Sequence, residues 1–183
     1  MTGIQVRWAR VEDALGVADV HVASWRAAYS GLIDKRVLDG LSVAQRADGW
    51  TTIITGHGGE NPPDAASGKA HSLLVAERDG RIVGWASFGA GRDEEASEQG
   101  ELAGLYVHPD FWSKKIGHSL IQAVEEQLSE AGYRSAYLWV LSGNSRAISF
   151  YDRHRWIADG GAKIGAAGGA KDLRELRHVR SLP

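Results

Sequence analysis

Two lysines stand beside a predicted helix start, in the run from Leu105 to Leu120. Its apolar beginning ends at a His-Pro-Asp turn, and an amphipathic helix begins soon after. The free N–H groups and the partial positive charge of a helix N-terminus favour an anion. Lys114 and Lys115 lie at that positive end, where the helix dipole disfavours each cation by up to about 1 kcal/mol. This placement indicates an anion-binding turn; the alternative is a solvated basic loop.

The chain lacks the short motifs of several other enzyme classes. It contains no Gly-x-x-x-x-Gly-Lys-Ser/Thr phosphate loop and no Gly-x-Gly-x-x-Gly fingerprint, so ATP and NAD lose their usual sequence support. A Gly-x-Ser-x-Gly nucleophile elbow is also missing. The seven histidines are scattered without a His-Glu-x-x-His pattern, and there is no cysteine. The sequence therefore predicts no metal site, no disulfide and no thiolate nucleophile.

Length and charge are those of an ordinary globular chain. The 183 residues suffice for a sizeable core, and we expect one domain over residues 1–183. The formal net charge of −2 gives no support for a nucleic-acid partner, which usually requires a basic excess. No apolar run reaches the roughly 18 residues of a membrane span, and the N-terminus lacks the apolar core of a signal peptide. We expect a cytoplasmic protein without a membrane partner.

Hydrophobic spacing predicts the elements that position the turn. Alternation predicts a half-buried strand at Ile4–Trp8, and steps of three or four residues predict a helix at Glu12–Tyr29. The apolar stripe of that helix is predicted as Leu15, Ala18, Val22, Trp25 and Tyr29. A second helical stretch at 34–54 is interrupted near Gly40, and a Gly/Pro-rich loop, expected to be mobile, follows at 56–69.

Hairpins dominate the middle of the chain, and strands alternate with helices after it. Residues 72–77 and 81–88 predict two strands joined by an Asp-Gly turn. The later predicted elements begin with an acidic loop at 93–98, a strand at 102–107, a helix at 116–132 and a strand at 135–141. A helix capped by Asn144 or Ser145 then runs to about Arg155. The last predicted elements are a short strand at 156–158, a flexible hairpin loop at 160–169 and a strand at 173–179. A mixed sheet with helices on both faces satisfies both patterns. Ligands bind such sheets at the carboxyl ends of strands, where residues 108–117 stand.

Four segments carry a family resemblance in the right order along the chain. Residues 101–120 resemble the acetyl-CoA-binding segment of the GNAT superfamily of N-acetyltransferases, and residues 144–154 resemble its second cofactor segment. Residues 20–32 and 173–180 are similar to the first helix and the final strand of one bacterial branch. The resemblance implies a mixed, mostly antiparallel sheet of six to seven strands with helices on both faces.

The resemblance also implies which residues bind acetyl-CoA. A strand backbone at 105–107 would contact the pantetheine arm and the thioester, and the turn at 112–118 would wrap the pyrophosphate. The implied cofactor-binding residues are Leu105, Tyr106, Val107, Trp112, Ser113, Lys114, Lys115, Ile116, Gly117, His118 and Asn144. No metal is implied.

Three residues depart from the family pattern. Trp112 replaces the usual Gln or Arg at the first position of the turn. Lys115 replaces a glycine that lets the backbone approach phosphate without a Cβ, so it either narrows the turn or reaches the phosphates itself. Arg155 stands at the end of the helix that begins at 144 or 145, where the family often has glycine. The conformation of that helix end can therefore differ from the family's.

Amide formation requires proton transfers, for which the resemblance suggests two residues. Deprotonating an amine of pKa about 10.4 at pH 7 costs roughly 4–5 kcal/mol, so a base or a water chain is useful. Glu101 is the candidate base, the alternative being a strand-end glutamate in solvent. Tyr151 matches the family tyrosine that protonates the departing thiolate, the alternative being a buried tyrosine with a satisfied hydroxyl. An N–H near Val107 would hold the oxyanion.

The acceptor is left open by the sequence. Trp25 and Tyr29 lie on the helix that borders the acceptor pocket in this family, although core packing is an alternative for both. The expected partner is a small-molecule amine or a peptide amino terminus, and homodimers are common in the family. The expected activity is acetyl-CoA-dependent N-acetyl transfer to a primary amine. The alternatives are a non-catalytic acyl-CoA-binding sensor or interaction protein on the same fold, and a different acyl donor.

Overall fold

The computed structural model describes residues 3–56 and 71–183. The strands within them are β1 (Gln5–Trp8), β2 (Ser72–Arg78), β3 (Arg81–Ala90), β4 (Gly100–Val107), β5 (Ser135–Leu141), β6 (Ile157–Ala167) and β7 (Ala170–Ser181). The α-helices are α1 (Ala14–Ala28), α2 (Lys35–Asp39), α3 (Val43–Gly56), α4 (Ile116–Glu130) and α5 (Ser145–Arg153). Most of the predicted loop at 56–69 lies outside the described residues. No described helix is both long and apolar enough to cross a membrane.

The strands form one mixed sheet in the order β1-β2-β3-β4-β5-β7-β6. All neighbours pair antiparallel except β4 and β5, which run parallel. The predicted fold class, a mostly antiparallel sheet of six to seven strands with helices on both faces, is confirmed. The predicted hairpin is also confirmed: an Asp-Gly turn joins β2 to β3, with φ of 52° at Asp79 and 76° at Gly80.

Strand alternation separates two hydrophobic cores. On β2, Leu74 and Ala76 belong to the core that α4 covers, whereas Leu73 and Val75 belong to the core beneath α1 and α3. The predicted stripe of α4 is buried throughout, at Ile116, Leu120, Val124 and Leu128. This stripe fixes the helix against the sheet and therefore sets the position of its N-terminus.

The prediction that Leu15 belongs to the buried stripe of α1 is wrong. Leu15 is 64% exposed, while Ala14, Val17 and Ala18 are buried. The buried face thus begins one residue earlier and continues through His21 and Trp25, at the spacing of a single helix face.

The predicted loop at 160–169 is also wrong, because most of it belongs to the long strand β6. Among the described strands it pairs with β7 alone, so its glycines need only backbone hydrogen bonds to extend the sheet edge. The register shifts between Ala158 and Ala162, where Gly160 has φ of 88°. This bulge, rather than a loop, accounts for the first glycines of the run. The last strand, predicted at 173–179, is confirmed and extends over Ala170–Ser181.

Helix α5 ends on a left-handed residue despite the missing glycine. Arg155 has φ of 62°, and the N–H of Trp156 donates to the carbonyl of Tyr151 at 3.0 Å. The end of α4 has the same form around Gly132, whose φ is 93°. Both ends are Schellman motifs, so Arg155 adopts the conformation that a glycine would take there.

Candidate active site

A cavity of about 880 Å³ lies among α1, β4, β5, α5 and the start of α4. The predicted site residues that line it are Trp25, Tyr29, Leu105, Tyr106, Val107, Trp112, Ser113, Lys115, Ile116, Gly117, His118, Asn144 and Tyr151. Glu101 and Lys114 are not part of its lining. The cavity thus brings together the proposed anion-binding turn, a phenol and the aromatic residues of α1.

Strands β4 and β5 separate soon after they begin. Their parallel pairing is confined to Gly100 and Glu101 on β4, although that strand continues to Val107. Meanwhile β5 stays paired with β7 along its whole length. The separation leaves one edge of β4 without a strand neighbour, and an extended ligand can hydrogen-bond to such an edge.

The free edge of β4 presents particular backbone groups to the gap. The N–H of His108 donates to the carbonyl of Val83 at 2.9 Å, on the β3 side. Because successive backbone groups of a strand alternate in direction, the N–H groups of Leu105 and Val107 point to the opposite side. These are two of the residues that the sequence assigns to the pantetheine arm and the thioester.

The turn before α4 has two left-handed residues, Ser113 and Lys115, each with φ of 63°. Helix α4 begins at Ile116, directly after them. Within the described part of the chain, no backbone N–H from 113 to 118 donates a hydrogen bond to another residue. A run of free N–H groups at a helix start forms a concave anion site. The structure therefore provides the geometry that the spacing of the lysines indicated.

Trp112 holds this turn against the end of β4. Its indole Nε1 donates to the carbonyl oxygen of Val107 at 2.8 Å. The guanidinium of Arg146 lies over the same ring, 3.9 Å from its centroid. A cation over an indole at this distance is a favourable contact. The departure from Gln or Arg at position 112 thus brings an arginine of α5 to the turn.

The basic side chains near the turn have different roles. Lys115, Arg146 and Arg153 line the cavity. The Lys114 ammonium instead donates to the carbonyl of Asp110 at 2.8 Å and lies 4.9 Å from the centroid of the Phe111 ring. Of the two lysines in the sequence motif, only Lys115 therefore directs its side chain to the cavity.

Helix α5 carries Tyr151 into the cavity. Asn144 caps the helix as predicted, its side-chain oxygen accepting from the N–H of Ala147 at 3.2 Å. The Tyr151 side chain is buried, and burial, followed by the nearby Tyr106, raises the pKa of its phenol. The hydroxyl has no hydrogen-bond partner among the described residues, so it remains a free proton donor.

Glu101 lies behind the cavity in a tight network. Its carboxylate accepts from the guanidinium of Arg92 at 2.6 Å and from the Tyr137 hydroxyl at 3.2 Å. Burial alone would raise the pKa of Glu101, but the hydrogen bonds and charge of Arg92 outweigh it and lower the pKa. A carboxylate with a lowered pKa and a bound guanidinium is a weak proton acceptor. The alternative of a solvent-exposed glutamate is wrong, since Glu101 is 4% exposed.

Aromatic side chains line the other end of the cavity. The hydroxyls of Tyr29 and Tyr106 lie 3.0 Å apart, and Trp25 and Trp85 pack beside them. Tyr106 therefore turns its side chain toward α1 while its strand borders the gap. Burial, followed by the charge and hydrogen bond of Tyr106, raises the pKa of the Tyr29 phenol. Both phenols stay protonated at neutral pH, and because one hydroxyl donates to the other, the pair has one proton left for a ligand.

At the centre of these rings lies His21. Burial, together with the charge of Arg46, lowers its pKa to about 4, so the ring is neutral at pH 7. The Trp50 indole donates to its Nδ1 at 3.3 Å, which places the ring proton on Nε2. That Nε2 has no hydrogen-bond partner among the described residues.

With the site described, comparison with known proteins gives the family. The acetyltransferase (GNAT) family matches residues 47–155. This chain belongs to that family. The uncharacterized N-acetyltransferase YuaI of Bacillus subtilis is 30% identical over 152 residues, which cover 82% of this chain and 79% of that protein.

Solved structures share the fold of this GNAT member at lower identity. The N-acetyltransferase PaiA of Thermoplasma acidophilum, solved in complex with coenzyme A, has a TM-score of 0.69 at 21% identity, covering 96% of this chain and 98% of that one. The acetyltransferase YncA of Salmonella typhimurium, solved with acetyl-CoA, has a TM-score of 0.68 at 18% identity, covering 100% and 95%. Both likenesses concern the architecture.

Sequence reasoning missed several residues of this GNAT site. Arg146 and Arg153 are seven apart on α5 and line the same cavity, a spacing that a helix-face analysis of α5 would have found. His154 was also missed. Its Nε2 lies 3.0 Å from Nδ1 of His118, a residue that the resemblance had already assigned to the cofactor turn. No local motif marks that pair, because tertiary packing creates it.

The last missed residue is Glu175 of β7. Its side chain lines the cavity and is half-buried. Burial raises its pKa; the charge of Lys163 acts in the opposite direction, and that of Asp93 adds to the rise. In sequence Glu175 is one of several charged residues in a strand of ambiguous pattern. Only the sheet order, which sets β7 beside β5, brings it to the site.

Proposed function

We propose that this protein is an acetyl-CoA-dependent N-acetyltransferase that moves an acetyl group to a primary amine of a small molecule or an amino terminus. The observation that carries the proposal is the single cavity, lined at one end by the turn before α4 and at the other by aromatic residues. Direct transfer requires both substrates to be held side by side with the reacting atoms in contact. One cavity with an anion site and an acceptor end meets that requirement.

The residues present fit a diphosphate with a long extended arm. The free N–H groups from 113 to 118 would bind the phosphate oxygens, with Lys115, Arg146 and Arg153 adding positive charge. The open edge of β4 would pair with the amide groups of the pantetheine arm. Acetyl-CoA supplies the acetyl group as a thioester. That solved relatives hold coenzyme A or acetyl-CoA supports this assignment.

Two sets of groups in this chain would assist the transfer. The N–H groups of Leu105 and Val107 face the gap, where one of them can bind the carbonyl oxygen as negative charge develops on it. The Tyr151 phenol is protonated at neutral pH and can donate its proton to the departing sulfur. The attacking amine must approach from the aromatic end, where Trp25 and Tyr29 line the cavity.

An amine screen tests the proposed function. Purified protein is mixed with acetyl-CoA and a panel of primary amines that includes monoamines, polyamines, amino acids and short peptides. We expect thiol release that depends on one class of amine, with the N-acetylated product detected by mass spectrometry. Thiol release without an acetylated amine would contradict amine transfer.

The screen also separates the enzyme from a sensor on the same fold. A non-catalytic acyl-CoA-binding protein would bind coenzyme A in calorimetry and release no thiol with any amine of the panel. The left-handed Lys115 and Arg155 are the departures that suggested this alternative. Both adopt a left-handed backbone conformation, which glycine takes readily, and the amine screen decides whether they are compatible with catalysis.

A further inference from the structure

Several charged side chains near the acceptor end form salt bridges. Salt bridges join Arg92 to Glu101 at 2.6 Å, Lys163 to Asp93 at 4.0 Å and Arg177 to Asp159 at 2.8 Å. Glu175 lines the cavity among these pairs and forms no salt bridge with any residue that the structure describes. Lys163 lies opposite Glu175 on β6 and its charge opposes the rise in the Glu175 pKa, but its ammonium forms its salt bridge with Asp93. The half-buried Glu175 carboxylate can therefore accept a cationic group from a ligand.

The strand register directs Glu175 to the cavity. It lies opposite Leu141 of β5 and opposite Lys163 of β6. Leu173, two residues earlier on the same face of β7, lines the cavity as well. The carboxylate is close enough to the Tyr29 phenol for its charge to contribute to the raised pKa of that group. Glu175 therefore faces the acceptor end, on the same side as α1.

We propose that Glu175 binds the ammonium group of the acceptor and removes its proton before the attack. This inference rests on the proposed transfer to an amine. It replaces Glu101 with Glu175 as the base, because the Glu101 carboxylate is occupied by Arg92 and lies outside the cavity lining. The acceptor class is then a protonated primary amine whose attached group contacts apolar side chains, since Leu141, Leu173 and Tyr29 line this part of the cavity.

The protons and bonds balance as follows. One proton passes from the ammonium nitrogen to the Glu175 carboxylate and then to solvent. The neutral nitrogen forms a C–N bond to the acetyl carbon, and collapse of the adduct breaks the C–S bond. The departing sulfur takes the Tyr151 proton, and the second proton lost by the nitrogen restores the phenol through solvent. The net products are the amide, the free thiol and one proton.

An acceptor that is already neutral separates this role from a structural one. The best amine of the screen is compared with its β,β-difluoro analogue at neutral pH, because fluorine lowers the amine pKa until little proton removal is needed. We expect Glu175→Gln to lower kcat/KM for the parent amine by about 100-fold or more. For the fluorinated amine we expect a loss of less than about tenfold, because general-base assistance is no longer required.

Two further variants control the comparison. Glu126→Gln removes an exposed carboxylate of α4 with the same change in charge and should leave both rates within about twofold of the unmodified protein. Glu175→Asp keeps a carboxylate, but its shorter side chain holds that group farther from the acceptor. We therefore expect an intermediate loss of kcat/KM that is confined to the parent amine. This variant also serves if Glu175→Gln does not fold, which thermal unfolding and an acetyl-CoA titration would show.

The outcomes separate this inference from the proposed function. Equal losses on both amines, or no loss on either, would overturn the role of Glu175 while leaving the transferase assignment intact. Absence of acetylation of every amine by the unmodified protein would contradict the proposed function itself. Selective loss on the parent amine supports both.

Discussion

The indole Nε1 of Trp112 donates to the carbonyl oxygen of Val107 at 2.8 Å, which ties the turn before α4 to the end of β4. The two parts of the proposed cofactor site, the strand edge and the run of free N–H groups, are therefore held in one arrangement by a side chain. The same ring supports the guanidinium of Arg146. A single residue thus links the strand, the turn and α5.

Trp112→Phe should weaken acetyl-CoA binding. Phenylalanine keeps an aromatic face for Arg146 but has no N–H for the carbonyl of Val107. We expect the free energy of unfolding to fall by about 1 kcal/mol and the Kd for acetyl-CoA to rise by about three- to tenfold, since a lost hydrogen bond loosens the turn. Chemical denaturation and calorimetric titration measure the two effects. An unchanged Kd would show that the bond to Val107 does not shape the site.

Lys115→Gly should stabilise the fold. The left-handed conformation at φ of 63° costs an L-residue with a Cβ about 1 kcal/mol, and glycine avoids that cost. Lys115→Ala is the matched control because it removes the ammonium and keeps the Cβ. We expect both variants to bind acetyl-CoA about two- to fivefold more weakly, and the glycine variant to unfold at a higher denaturant concentration than the alanine variant. Equal stability of the two variants would contradict the backbone argument.

Tyr151→Phe should slow transfer without loosening the structure. The phenol has no hydrogen-bond partner among the described residues, so removing its oxygen leaves no described group unsatisfied. We expect kcat to fall by at least about tenfold, the loss of an acid catalyst, with Kd for acetyl-CoA and the unfolding midpoint little changed. Thiol release measured at saturating acetyl-CoA checks this. Full activity of the variant would exclude the acid role.

His21→Asn should flatten the acid limb of the stability curve. The pKa of His21 is about 4 in the folded protein and 6.5 in an unfolded chain, so the unfolded state binds the proton first. Stability present above pH 6.5 is therefore lost as the pH falls toward 4, by up to about 3 kcal/mol from this residue. Asparagine keeps an acceptor for the Trp50 indole but does not titrate. The stability difference between the two proteins should shrink between pH 6.5 and 4, and a constant difference would contradict the assigned pKa.

Local patterns in the sequence sufficed for the elements that hold the cofactor end. The buried strand β5, the stripe of α4 and the Asn144 cap are each encoded within a short segment, and the structure confirms all three. The Asp-Gly turn between β2 and β3 is equally local. The anion-binding turn could be proposed because it lies between two such elements.

Contacts between neighbouring strands and their loops could not be predicted from the sequence. Glycines suggested a loop where β6 forms, because the strand depends on pairing with β7 rather than on side chains of its own. The sequence proposed Glu101 as a base but gave no sign that Arg92 binds its carboxylate. No feature of the sequence marked Glu175 as a site residue, since its neighbours in the structure come from other strands. In each case the deciding partner lies on a neighbouring strand or its connecting loop, and the spacing of residues within one segment does not identify it.

A crystal structure of the protein with coenzyme A tests the central claim most directly. The account predicts pyrophosphate oxygens within hydrogen-bond distance of the N–H groups from 113 to 118 and a pantetheine arm along β4 beside Leu105 and Val107. A nucleotide bound elsewhere, with those N–H groups turned to solvent, would contradict it.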